Sequence, residues 1–154
     1  MQQIPLVGAL RLCTGIQSEM AASKLHLFVT GYTPTPTETL ADLLAVEATF
    51  SGYTVGGYPL VTWGAPTFNP TGGAQTVSPQ VDVVFTAPGS GAGVTNTLGG
   101  WFVVDSAGNL VADGQFNTPI PMVASGDGFP ITLALFAGTT NALVQAWVYG
   151  VEQN

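Results

Sequence analysis

Hydrophobic and polar positions alternate with a period of two over much of the chain. The cleanest case is "KLHLFVT", where Leu25, Leu27 and Val29 stand against His26 and Phe28. That period puts successive side chains on opposite faces of a strand. Strands are predicted at Lys24–Thr30, Tyr58–Trp63, Gln80–Thr86, Leu98–Asp105, Leu110–Phe116, Pro130–Phe136 and Leu143–Tyr149, with a weaker one at Leu6–Leu12. "VDVVF" and "WFVVD" are more continuously apolar, as expected of strands covered on both faces. Twenty glycines and eleven prolines punctuate these runs instead of gathering in a linker, the pattern of a sandwich or barrel. "SAGN" between Asp105 and Leu110 predicts a tight hairpin turn, because Gly108 and Asn109 tolerate positive φ. Exposed loops are predicted at 69–79 and, Gly- and Ser-rich, at 86–97, with turns at 125–128 and 137–142.

One stretch breaks the period. In "TPTPTETLADLLAVEATFSGY" (33–53), Leu40, Leu43 and Leu44 fall on one helical face. Thr35 as N-cap, Pro36 at the first helical position and Glu38 three residues after the cap make a capping box. About eleven residues of helix are marginal alone, so the leucine face must pack on an open face or end of the sandwich. The expected fold is an all-β, jelly-roll-like antiparallel β-sandwich with one short helix. Residues 1–23 form an N-terminal arm or first strand, and 24–154 a single domain.

Composition narrows the function. Of 154 residues only Arg11 and Lys24 are basic, against nine acids, for a net charge of -7. Charged residues make up 7% of the chain, where about 25% is usual, and the mean hydropathy is +0.39. Nucleic acid is excluded as a partner, since displacing phosphate counterions takes lysines and arginines. So uncharged a surface favours association. No apolar run approaches the roughly 20 residues of a membrane span, and "MQQIPLVGALRLC" lacks the basic start of a signal peptide. The lone Cys13 allows no internal disulfide, sits among Leu10, Leu12 and Ile16, and reads as a small buried apolar residue.

Candidate chemistry is sparse. His26 is the one histidine, and its place in an alternating strand favours a structural role over that of a general base. Asp105 and Asp113 flank the predicted hairpin, where Asp105 has a turn role to play; Glu38 and Asp42 belong to the solvated helix face. "DSAGN" and "SGDG" do not match a calcium loop, and "GSGAG" lacks the lysine and helix of a phosphate cradle. No catalytic residue, cofactor or metal is expected. Trp63 and Trp101 belong to the core. Trp147 and Tyr149, sharing one strand face, and Leu6, Leu10 and Leu12 of the arm are the candidates for a contact surface.

The order "KLHLFVTGYTPTPTETLADL", "EATFSGY", "PLVTW", "GGWFVVDSAGNLVADGQF" and "IPMVASGDGFPITLALF" resembles small virion proteins of tailed bacteriophages, over roughly residues 24–136. "ADLLAVEATF" is longer than that group's usual segment, and residues 1–23 and the tail from Asn141 fall outside the shared pattern. The resemblance implies a jelly-roll-like trimer on the capsid or at a fibre tip. The expected role is capsid decoration: a homotrimer made in the host cytoplasm, bound to the major capsid protein at the virion surface, with no enzyme activity, nucleic acid or membrane contact. The alternative is a tail-fibre or receptor-binding module contacting a bacterial surface glycan.

Overall fold

The structure, a computed structural model, describes residues 6–60, 63–69, 73–78, 80–86, 93–137 and 142–148. The described residues start with helix α1 (Leu6–Glu19) and continue into β1 (Ser23–Val29), a short helix α2 (Leu40–Leu44), β2 (Tyr58–Leu60), β3 (Thr67–Asn69), β4 (Gly73–Val77) and β5 (Val81–Val84). Four strands follow: β6 (Asn96–Val104), β7 (Leu110–Met122), β8 (Gly128–Ala137) and β9 (Ala142–Val148).

Two antiparallel sheets form a sandwich, as the alternating pattern predicts. The first runs β2-β1-β6-β7; the second runs β3-β4-β8, with β5 and β9 also on β8. β4 pairs with Ala134–Ala137 of β8 and β5 with Gly128–Ile131, on the edge opposite β9. Leu25, Leu27, Leu98 and Val103 of the first sheet meet Val83, Phe129, Ile131, Leu133 and Leu135 of the second in one buried cluster. The likeness to a jelly roll is one of layers, since β3/β4, β6/β7 and β8/β9 are each hairpins within a single sheet.

The predicted first strand at Leu6–Leu12 is instead the start of α1, and residues 6–19 are no detached arm. Ala9, Cys13 and, just past the helix, Met20 are buried at helical spacing and join the main core, with Leu10 and Ile16 packed against it. Gln17 ties the helix to the chain after β2, its Nε2 donating to the carbonyls of Trp63 and Gly64 at 3.1 and 3.2 Å. Gly8, Thr14 and Gly15 are poor helix formers, so tertiary packing, not propensity, decides this segment.

The predicted loop 69–79 also needs correction. Residues 73–77 are β4, an interior strand with Ala74 and Thr76 buried. Ser78 stitches the handover from β4 to β5: its N–H donates to the Leu133 carbonyl and its Oγ accepts from the Leu133 N–H. β5 is covered on one face only, with Val83 buried and Val84 exposed, contrary to the two-sided cover expected of "VDVVF". "WFVVD" does have both faces covered, Trp101 through Val104 all being buried. β7 runs six residues past the expected Phe116, because a bulge at 116–119 lets pairing resume at Leu98↔Ile120. Residues 87–92 of the predicted 86–97 loop and 138–141 of the predicted 137–142 turn lie outside the described residues.

Candidate functional site

The outer face of the first sheet carries the polar chemistry. Strand alternation that turns Leu25 and Leu27 inward turns Lys24, His26 and Phe28 outward, and the antiparallel register sets His26 beside Phe102 and Lys24 beside Val104. Phe28, Phe102, Val104 and Leu43 form a second, smaller buried cluster, with Tyr32, Leu40, Val46 and Leu110 against it.

Helix α2 covers this cluster and is built one turn later than the sequence predicts. Its N-cap is Thr39: the Asp42 N–H donates to Thr39 Oγ1, and the Asp42 carboxylate accepts from the Thr39 N–H at 2.8 Å. The bond from the Thr39 hydroxyl, together with that from its N–H, holds the Asp42 carboxyl below the usual range. Thr-x-x-Asp thus displaces the expected box at Thr35–Glu38. Glu38 instead accepts from the Thr35 N–H and the Tyr32 hydroxyl, at 3.1 and 3.0 Å. Asp105 keeps the turn role expected of it, and the neighbour of Asp113 is Glu38. Burial and then the Glu38 carboxyl beside it push the Asp113 carboxyl up to about 6.

Past α2, the chain runs along the edge of β1 that β2 leaves open beyond Leu25. The Val29 N–H donates to Val46, the Ala48 N–H donates to Leu27, and Phe28 bridges Glu47. This carries Glu47 under the edge, where one oxygen, Oε1, receives three donors: the Tyr53 hydroxyl at 2.7 Å, His26 Nδ1 at 2.8 Å and the Gly56 N–H at 3.1 Å. The Tyr53 hydroxyl in turn accepts from the Leu27 N–H. Burial, then the bond to Glu47, drive the Tyr53 hydroxyl's pKa far above its ordinary value. With Oε1 already accepting from Tyr53 and Gly56, His26 Nδ1 is the donor of the pair. Its ring stacks on Phe102, centroids 4.6 Å apart and planes at 19°. His26 is therefore buried, its ring held between Glu47 and Phe102. Glu47, its partner 21 residues on, has no signal in the sequence.

An open cleft of about 390 Å³ lies beside His26, lined by Lys24, Leu40, Leu44, Gly56, Val104 and Ser106 among others. Asp105 also lines it, yet its carboxylate is committed to the hairpin turn, accepting from the Ala107 N–H, the Asn109 N–H and Asn109 Nδ2. The bonds from Asn109 hold that carboxyl low. Among the described residues no three His, Cys, Asp or Glu side chains gather as a metal would need, and no helix is long and apolar enough to cross a membrane.

Of the candidate contact residues, Leu10 and Leu12 have described side chains. Leu10 packs onto the main core, while Leu12 is 48% exposed on α1. Leu6 and Trp147 fall within α1 and β9, with side chains outside the described residues, as is Tyr149. Trp63 and Trp101 are core, Trp63 donating from Nε1 to the Met20 carbonyl. Cys13 is buried, and burial raises its thiol pKa. Set against family models, curated proteins and solved structures, the chain matches none.

Proposed function

We propose that the chain is a structural, non-enzymatic protein of a tailed-bacteriophage virion: a capsid decoration subunit that acts as a homotrimer, binds the major capsid protein and stabilises the shell. One observation carries the reading. Val7, Leu12, Val55 and Val94 stand 48–65% exposed on a chain with two basic residues and nine acids. Single exposed apolar side chains are ordinary; here they stand on a chain of which only 7% is charged. Covering about 800 Å² per partner would remove such side chains from water. A subunit that binds only the assembled shell then stabilises it by mass action.

The trimer and the capsid location rest on the resemblance of "LADLLAVEATFSGY" and "GGWFVVDSAGNL" to small phage virion proteins. The sandwich suits a role in which fixed faces, not moving parts, make the contacts. Light scattering on the chain eluting from a sizing column is expected to give the mass of three chains at micromolar concentration. Cryo-EM of the virion is expected to place it on the capsid lattice. A stable monomer overturns the assembly reading, and density on the tail in place of the capsid overturns decoration.

A further inference from the structure

We propose that a single proton shared by Asp113 and Glu38 latches the segment ahead of α2 onto β7, and that the segment loosens when the proton leaves. The latch is internal to the protomer and independent of what the subunit binds. Its first sign is one orphaned atom. Glu38 Oε1 is buried and has no hydrogen-bond partner among the described residues, whereas Oε2 accepts from the Tyr32 hydroxyl and the Thr35 N–H. A buried acceptor left unmet is costly. The Asp113 carboxyl lies beside that of Glu38, and two ionised carboxylates offer each other acceptors only. Once Asp113 holds a proton, its O–H donates to Oε1. One event then satisfies the orphaned oxygen and removes the repulsion.

Strand register and the loop's own bonds bring the two acids together. Asp113 pairs with Phe102 across the β6/β7 ladder, and Gln115, two residues on, pairs with Gly100. Gln115 Nε2 donates to the Tyr32 carbonyl at 3.2 Å, and the Tyr32 ring meets Phe28 edge-on, centroids 6.0 Å apart. Tyr32 therefore lies over the sheet face that Asp113 occupies, and its hydroxyl holds Glu38 there. The other titratable groups at this spot are Tyr32 and Asp42, and the Asp42 carboxylate is committed to the Thr39 cap. Neither of the two basic side chains is near. Lys24 is registered with Val104, toward the hairpin turn, and Arg11 belongs to α1, which packs on β3, β4 and β8. No cation thus relieves the pair, and burial and the Glu38 carboxyl push that of Asp113 up to about 6. Glu38 directly precedes the Thr39 N-cap, so the latch sets how firmly α2 is held over Phe28 and Phe102.

Carbon NMR of the side-chain carboxyls in the full chain tests the latch. Asp113 is expected to titrate with a midpoint near 6 in place of its ordinary 3.8, with the Glu38 carboxyl signal moving in the same step. Glu38→Gln removes the competing charge, and the Asp113 midpoint should then fall by about one pH unit or more. Loosening is read at the Ala45 amide, which bonds to the Ala41 carbonyl in α2. Its exchange protection, corrected for the intrinsic effect of pH, is expected to drop about tenfold from about pH 4.5 to about 6.5. Asp113→Asn offers Oε1 a donor that does not titrate, so protection in that variant should stay constant across the range. The wild-type titration stands even where a variant fails to fold. The proposal is overturned if Asp113 titrates near its ordinary value, if Glu38→Gln leaves its midpoint in place, or if wild-type Ala45 is equally protected at both pH values.

Discussion

The inner face of the first sheet presents Leu25, Leu27, Trp101 and Val103 to the other sheet and buries them in one continuous apolar cluster. The outer face presents Lys24, His26, Phe28, Phe102 and Val104 to a five-residue helix and the segment that follows it. Burial on the inner face is non-directional and draws on both sheets, so it underwrites the whole fold. The outer face rests on a helix far too short to persist in isolation, pinned by Leu43 and by the hydrogen bonds converging on Glu47. The cover is also partial, and its edge is where the cleft opens. The same strands thus carry a global core on one side and a locally held, chemically addressable cap on the other, and sub-global opening should start at the cap.

Cavity-forming substitutions on the two faces give the largest effect. Leu27→Ala removes a fully buried side chain from the main cluster and is expected to cost about 3–4 kcal/mol of global stability. Leu43→Ala, equally buried, should cost about 2 kcal/mol, because the short helix can shift or undock instead of holding a void. Hydrogen exchange separates them. Leu43→Ala should speed exchange at the Ala48 and Val29 amides, which bond the cap to β1, and leave Leu133 protected; Leu27→Ala should speed all three. Equal loss of Leu133 protection in both variants would mean the two faces open as one unit.

The polar part of the cap comes next. Glu47→Ala strands the Tyr53 hydroxyl, the His26 Nδ1–H and the Gly56 N–H together. Buried donors without acceptors cost about 1–3 kcal/mol each and relax partly toward water, so a net loss of about 3 kcal/mol is expected in denaturant melts. Glu47→Gln keeps an acceptor oxygen and should recover most of it. If the two variants are equally destabilised, the charge itself, and not the count of satisfied donors, holds the segment.

What the sequence conveys differs between the two faces for a physical reason. The strands of the inner face write themselves as period-two alternation, and the β6/β7 hairpin is fixed by the positive φ of Gly108 and the bonds of Asp105. Helix α2 is legible as to existence but not register. Both Thr35–Glu38 and Thr39–Asp42 have capping-box spacing, and Leu43 reaching the Phe28–Phe102 cluster decides between them. Helix α1 was hidden because its Ala9, Cys13, Ile16 and Met20 stripe is interrupted by glycines. β4 was hidden because "GAQTV" is short, polar and begins at glycine. The His26–Glu47–Tyr53 contact leaves no trace in spacing, since the fold alone brings positions 26, 47 and 53 together.

The smallest expected effect is a pH dependence that belongs to the outer face. Asp113 on β7 and Glu38 ahead of α2 share one location, with the Tyr32 hydroxyl on Glu38 and the Gln115 amide on the Tyr32 carbonyl. Two carboxylates so placed cannot both ionise without repulsion, and the Asp113 carboxyl rises from its ordinary 3.8 to about 6. Between those values the folded chain holds more protons than the unfolded one, so stability falls as pH rises through the window and is highest at its acid end. Asp42 and Asp105 run the other way. Their carboxyls are held low, so what they contribute is present above about pH 4 and lost below it. The two trends together place the stability maximum near pH 4, not at neutrality. Asp113→Asn should flatten the limb between about pH 4 and 6 and leave the acid limb unchanged, as read by thermal melts across pH. If the wild-type limb is already flat, Glu38 and Asp113 do not share a proton, and the α2 cap is held by Leu43 and Glu47 alone.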